Sequence, residues 1–338
     1  MKVLSVIIPT YNMEEYLKKC LSSLVIPSLD KVEVIIINDG STDSSSEIAH
    51  GYEKTYPNSF RVIDKENGNY GSCINRGLKE SKGKYIKVLD ADDYFVTENF
   101  ERMVRQLEHL DVDLFLSSRI QVYSDGEEQC DLPYKQGKII QAEEAFSKKS
   151  FEKISMHDVS YRRDILIELS YHQLEGVFYT DNLWIYYPMA KVKTLYYFNQ
   201  PVYCYLLARE GQSVSPEVMM KHLKDELIVV DRMVDDYEKM VSLAPNMQSI
   251  FYFKLYRRIL SIYKRLLVKL QIFDNKELRE FDCQLKQKSQ KLYHQLGHEL
   301  LSSPLLCFRY ISIWRKNPLG MMMRNIIKLY HTKKRLFG

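Results

Sequence analysis

The stretch Tyr85-Ile86-Lys87-Val88-Leu89-Asp90-Ala91-Asp92-Asp93 decides the fold, because a short apolar run stops abruptly on three carboxylates. A run of this length, bounded by polar residues, reads as a strand over 85–89. Three acids so close repel one another unless water, a cation or basic partners compensate. The same pattern recurs upstream. Residues 3–8 form a β-branched run bounded by Pro9, residues 33–37 stop at Asn38-Asp39-Gly40, and residues 60–63 run into a glycine-bearing loop at 65–71. Helical segments separate these strands. Asn12 with Glu15, and Ser44 with Glu47, have the spacing of helix capping boxes, and residues 73–79 read as a short helix. Strands without polar alternation, separated by helices, predict an α/β fold whose mixed, mostly parallel sheet is covered on both faces. Ligands of such sheets bind beyond the carboxyl ends of the strands. The polar clusters at 10–12, 38–43, 65–72 and 90–93 are therefore expected to converge on one crevice.

Farther along, the pattern predicts a helix at 98–110, a strand at 114–122, helices at 142–146 and 181–189, and strands at 193–198 and 202–206 that finish the sheet. From about residue 215 apolar residues recur at helical spacing, as in Leu223, Leu227 and Val230, which places a boundary near 211–216. The chain of 338 residues, 45% hydrophobic and 27% charged, can bury a full core. Its 25 Tyr against 2 Trp suit half-wet surfaces such as a polar-ligand cleft. A formal charge of +4 gives no argument for nucleic acid. The six Cys are dispersed without paired ligand spacing, which points to thiols in a reducing cytosol rather than a zinc site or a disulfide scaffold. No apolar stretch reaches the roughly 20 residues that span a bilayer, and the N-terminal run is too brief for a signal peptide. A cytoplasmic location is expected. From Leu305 onward there are eight Arg or Lys and no Asp or Glu. There Met322, Met323, Ile326, Ile327 and Tyr330 line one side of a helix, and Arg324, Lys328, His331 and Arg335 line the other. Such a helix suits peripheral contact with an anionic membrane, and equally well packing on the body or a homo-oligomer contact.

The strand-end acids suit a divalent cation. Mg²⁺ or Mn²⁺ prefers hard oxygen ligands and often takes only one or two from the protein, leaving the rest to phosphates and water. Asp39 has a carboxylate able to accept a hydrogen bond from the imide N–H of uracil, although an Asx-type turn uses the same residue. The loop Lys65-Glu66-Asn67-Gly68-Asn69-Tyr70-Gly71-Ser72 offers a cation and exposed backbone donors but lacks the spacing of a P-loop or a dinucleotide fingerprint. His157-Asp158 has no elbow motif to supply a nucleophile, so it reads as a packed or acceptor-lining pair rather than a hydrolytic relay.

Five pieces in order, 5–12, 36–43, 66–71, 75–77 and 89–93, resemble the large family of inverting glycosyltransferases called family 2, which have the GT-A fold. The resemblance covers roughly residues 4–213. It implies residues 1–213 as the GT-A catalytic domain and residues 214–338 as a helical C-terminal region with a basic amphipathic tail. By position it sets the nucleotide against Pro9, Tyr11, Asn12, Asp39, Lys65, Asn67, Gly68, Asn69 and Gly71. It makes Asp90-Ala91-Asp92 the acidic metal motif, with Asp92 the direct ligand ahead of Asp90. Arg209 and Ser213 match the late segment that closes near the diphosphate. Asp181, in Phe178-Tyr179-Thr180-Asp181-Asn182, matches the acidic pair before a helix and becomes the general base, with Thr180 in place of the usual Glu; sequence-locally it is also a helix cap. Two departures stand out. Asn69 occupies a position where many members have a second glycine, and Ser72-Cys73-Ile74-Asn75 replaces the commoner small-residue-Arg-Asn run.

The function implied is transfer of a hexosyl or N-acetylhexosaminyl group, with inversion, from a UDP-sugar to a hydroxyl of a saccharide or lipid-linked acceptor, assisted by Mn²⁺ or Mg²⁺. Bacterial surface polysaccharide is the implied product class. A neighbouring reading keeps the nucleotide cleft but hydrolyses the donor or pyrophosphorylates a sugar. A different class altogether is a degenerate nucleotide-sugar-binding or membrane-associated scaffold.

Overall fold

The computed structural model describes residues 2–207, 215–303, 306–317, 324–328 and 330. The chain divides into two compact units, Met1–Asp225 and Glu226–Gly338.

In the first unit, β1 (Leu4–Thr10), β2 (Val32–Asn38), β3 (Phe60–Asp64) and β4 (Tyr85–Val88) run parallel, with β1 paired to both β2 and β4 and β2 paired to β3. Every residue of β2 is buried, as expected of a strand covered on both faces. The sheet continues with β5 (Tyr94–Phe95), β6 (Leu114–Val122), β7 (Glu127–Cys130), β8 (Ile139–Gln141), β9 (Val159–Arg162) and β10 (Thr194–Leu206). The order is β3-β2-β1-β4-β9-β6-β10-β5, with β7 on β6 and β8 on β10. β9 is antiparallel to both neighbours and β10 is parallel to β6, so the sheet is mixed. The two expected strands at 193–198 and 202–206 are one strand, bent by register shifts on either side of Pro201.

Pro9 does not end β1; it lies within it. The carbonyls of Val3 and Ile7 accept amides on the β4 side, whereas that of Thr10 accepts the Asp39 amide. By this alternation the missing donor of Pro9 faces the β4 side, beyond the paired residues Ile7 and Val88, where no ladder bond is lost.

Helices α1 (Glu14–Ser22), α2 (Ser45–Thr55), α3 (Asn69–Glu80) and α4 (Thr97–His109) cover the sheet. α4 buries Phe100, Met103, Val104 and Leu107, an apolar stripe of helical period. The expected capping boxes do not form. Met13 precedes α1, and Ser44 precedes α2 without a side-chain cap. The helix expected at 181–189 is the short turn Asp181–Trp184 followed by a separate 3₁₀ turn, Pro188–Lys191, which begins at a proline.

The second unit is helical, with helices Pro245–Tyr263, Lys276–Lys288, Gln290–Gly297 and Tyr310–Lys316. Its buried acids are neutralised internally. Glu226 pairs with Arg258 at 3.0 Å and with Arg265, and Asp282 with Arg315 at 2.7 Å. Of the tail, Ile326 and Ile327 are buried while Arg324 and Lys328 are exposed; Met322, Met323, His331 and Arg335 lie outside the described residues. No helix among the described residues is long and apolar enough to cross a membrane.

Candidate active site

The carboxyl ends of β1, β2 and β3 carry the first half of the site. Asp39, directly after β2, is buried, and its Oδ1 accepts from Lys65 Nζ at 2.5 Å and from the Gly68 amide at 3.0 Å. Asn67 Nδ2 donates to the Asp39 carbonyl at 3.0 Å, and Lys65 Nζ also reaches Ser72 Oγ at 3.0 Å. The loop at 65–68 is thereby wrapped around one carboxylate. Gly40 follows with φ of +74°, a conformation that L side chains rarely adopt.

Asn12 is a cross-link rather than a cap. It has φ of +52°, its Oδ1 accepts the Thr42 amide at 2.8 Å, and its own amide donates to Ser41 Oγ at 3.1 Å. The loops after β1 and β2 are thus tied together, with Tyr11 beside them 48% exposed and Pro9 half-buried.

Asn69 and Gly71 lie in the first turn of α3, not in a loop. Asn69 has φ of +66°, which explains why asparagine stands where glycine is usual: it tolerates the left-handed region better than most residues. At Gly71 a Cβ would fall 1.8 Å from the carbonyl oxygen of Leu174, so the segment around 174 can approach α3 only because that residue is glycine. Asn75 clamps the same segment, accepting the Gln173 amide at 2.8 Å and donating to the Gln173 carbonyl at 3.0 Å. Gln173 Nε2 in turn donates to the Thr180 carbonyl at 2.6 Å, next to Asp181. Asp181 opens its short helix half-buried, with Asn182 Nδ2 donating to its Oδ1 at 3.1 Å.

The acidic end of β4 is held by tyrosines. Asp90 Oδ1 accepts from the Tyr70 hydroxyl at 2.9 Å, and its amide donates to the Tyr203 hydroxyl at 3.1 Å. That hydroxyl donates to Asp93 Oδ2 at 2.7 Å, and the Leu206 amide donates to Asp93 Oδ1 at 2.7 Å. Burial, followed by the charges of Asp90 and Asp92, raises the Asp93 carboxyl well above the usual range. Ala91 is buried between the two acids, and Asp92 is half-buried.

His157, expected as a packed or acceptor-lining residue, is packed, and it also belongs to this cluster, a place the sequence does not assign it. Its Nε2 lies 3.8 Å from Asp90 Oδ2, its Nδ1 contacts Ser155 Oγ at 2.8 Å, and its ring packs on Tyr203 and Tyr205. Asp158 points elsewhere, into a buried ion pair with Arg119 at 2.6 Å. Burial raises its carboxyl, and Arg119 opposes that shift. Ligand atoms of Asp90, Asp93 and His157 lie within 4.8 Å of one another. Both oxygens of Asp93 already take protein donors, so Asp93 braces the turn, while Asp90 and Asp92 are half-buried. This mostly oxygen donor set, with one imidazole at its edge, fits Mn²⁺ or Mg²⁺.

Two tyrosines at this end feel the surrounding acids. Burial and then the charges of Asp90 and Asp181 push the Tyr70 hydroxyl far above its ordinary range. Tyr205 is raised by burial and then by Asp93, Asp90, Asp181 and Asp92. Arg209 and Ser213 lie outside the described residues.

The model of the family described as Glycosyl transferase family 2 matches residues 5–169. An uncharacterized glycosyltransferase of Mycoplasma pneumoniae is 33% identical over 219 residues, 62% of this chain and 70% of the relative. The chain belongs to glycosyl transferase family 2. As a member of that family it is an enzyme of the glycosyltransferase class. Among solved structures, residues 1–349 of TarS from S. aureus superpose with TM-score 0.64 at 18% identity, covering 91% of this family 2 chain and 96% of that one. TarS has also been solved with UDP-GlcNAc, with TM-score 0.58 at 17% identity over the same shares. A mannosyltransferase of Pyrobaculum calidifontis in complex with GDP-Man and Mn²⁺ matches with TM-score 0.51 at 14% identity, over 98% of this chain and 86% of that one. At such identities the likeness carries the fold, which is GT-A.

Proposed function

We propose that this family 2 enzyme transfers a hexosyl or N-acetylhexosaminyl group, with inversion, from a UDP-sugar to a hydroxyl of a saccharide or lipid-linked acceptor. The observation that carries the reading is that α3 reaches both acids' surroundings: Tyr70 donates to Asp90 Oδ1, and Asn75 holds Gln173, whose Nε2 donates to the Thr180 carbonyl beside Asp181. One carboxylate thus serves the donor side and another the acceptor side of a single crevice.

Asp39 and the 65–71 loop, with Pro9, Tyr11 and Asn12 beside them, receive the nucleotide. Asp90 and Asp92 would hold a divalent cation beside the diphosphate, to which the family resemblance also assigns Arg209 and Ser213. The cation, when bound, offsets the charge that builds on the leaving group. Asp181 takes the proton of the acceptor hydroxyl as its oxygen bonds to the anomeric carbon. The bond from that carbon to the diphosphate oxygen breaks on the opposite face, and UDP departs. We assign these steps to residues 1–213 and give residues 214–338 to acceptor or membrane contact. The UDP-GlcNAc complex of TarS supports the donor class, and surface polysaccharide is the product class this placement suits.

The test is calorimetric binding of UDP-glucose, UDP-galactose, UDP-GlcNAc and GDP-mannose, each with and without Mn²⁺. At least one uridine donor is expected to bind in a cation-dependent way; binding of the guanosine donor alone, or none that depends on the cation, would overturn the reading.

A further inference from the structure

Tyr70, inside the 66–71 stretch, stands where three parts of the site meet. It is the second residue of α3, set between Asn69 in the left-handed conformation and Gly71, which is pressed against the Leu174 carbonyl. Its backbone therefore has little latitude. Just upstream, the Gly68 amide and Lys65 grip Asp39, and just downstream, Asn75 holds the segment that leads to Asp181. From this position the hydroxyl donates to Asp90 Oδ1 at 2.9 Å. The other Asp90 oxygen faces His157 Nε2 at 3.8 Å.

The choice of a phenol has a physical rationale. Asp90, Asp92 and Asp93 crowd one turn, and an unsupported carboxylate there swings away from its neighbours. A lysine or arginine would steady it but would also cancel the negative charge that a cation requires. A neutral hydroxyl fixes the rotamer and leaves the charge in place.

We propose that Tyr70 is a positioning residue that presets the Asp90 carboxylate for the divalent cation and couples it to the nucleotide loop around Asp39. This rests on the proposed cation-dependent transfer. Tyr70→Phe keeps the ring and removes only the hydroxyl. Mn²⁺ is titrated into the full chain by electron paramagnetic resonance, alone and with UDP present, for wild type, Tyr70→Phe, Asp90→Asn, the double variant and Asp92→Asn. The Phe variant is expected to need about tenfold more Mn²⁺ for half-saturation, the scale of losing one hydrogen bond to a charged group. Transfer at saturating Mn²⁺ is expected to recover most of the wild-type rate. In the Asp90→Asn background the same change should add little, because its effect passes through that carboxylate.

An unchanged Mn²⁺ half-saturation in Tyr70→Phe, alongside weakened binding in Asp92→Asn, would overturn this inference and leave the functional reading standing. Full additivity with Asp90→Asn would also overturn it, as would lost transfer that excess Mn²⁺ does not restore. A wild-type chain that binds no Mn²⁺, with or without UDP, overturns both.

Discussion

Replacing Lys87 with methionine removes a titratable amine from the interior of the sheet and should change how stability responds to pH. Lys87 is 0% exposed, and its Nζ donates to the His157 carbonyl at 2.8 Å and to that of Val159 at 3.4 Å. Burial lowers its pKa from 10.5 to about 7, with the charge of Asp158 opposing the shift. Below about pH 7 the lysine is charged in both states, and the native state carries the whole desolvation cost. Between about pH 7 and 10.5 the unfolded chain holds this proton more often than the native one, so the unfolding free energy rises with pH. One pH unit in that window is worth about 1.4 kcal/mol. From about pH 7.5 to 9.5 the wild type should therefore gain roughly 2 to 3 kcal/mol relative to Lys87→Met, which has no such group. The variant also leaves two carbonyls short of a donor, a loss of about 1 to 3 kcal/mol that does not depend on pH. Urea unfolding of both proteins at the two pH values measures the change in their difference, in which all other titrations cancel. A difference that stays constant within about 0.5 kcal/mol would refute a neutralised Lys87 in the native state.

Gly71→Ala forces a methyl onto the Leu174 carbonyl, so stability should fall by about 1 to 3 kcal/mol or more and turnover should fall with it; an unchanged melting temperature would show that the segment yields freely. Truncation after residue 317 should weaken binding to anionic vesicles while leaving donor binding intact. Equal vesicle binding would assign the basic tail to packing alone.

The gathering of the polar clusters after β1, β2, β3 and β4 at one edge is legible in the sequence because a parallel sheet delivers every strand's carboxyl end to the same side. Polar clusters at Asp39, Lys65 and Asp90 needed only their strands to be recognised. For His157 and Tyr203 the approach to Asp90 is not legible. They reach Asp90 through β9, antiparallel to β4, and through β10, which lies farther along the sheet, and no local pattern fixes that pairing. Asn12 had the spacing of a helix cap, but its side chain found a better partner in the Thr42 amide of the next loop. α3 was read too short because Asn69 and the glycines resemble a loop until the Leu174 contact accounts for Gly71. Lys87 was hidden by its neighbours, since one lysine in an apolar run reads as an outward-facing residue.

The division of labour between the two carboxylate sites is tested most directly by Asp181→Asn, measured for donor affinity and transfer rate in the same preparation. Cation-dependent UDP-sugar binding should stay within about twofold of wild type while transfer falls roughly a hundredfold or more, the usual contribution of a positioned base. Donor affinity that falls in step with transfer, or transfer that persists, would contradict a base at Asp181.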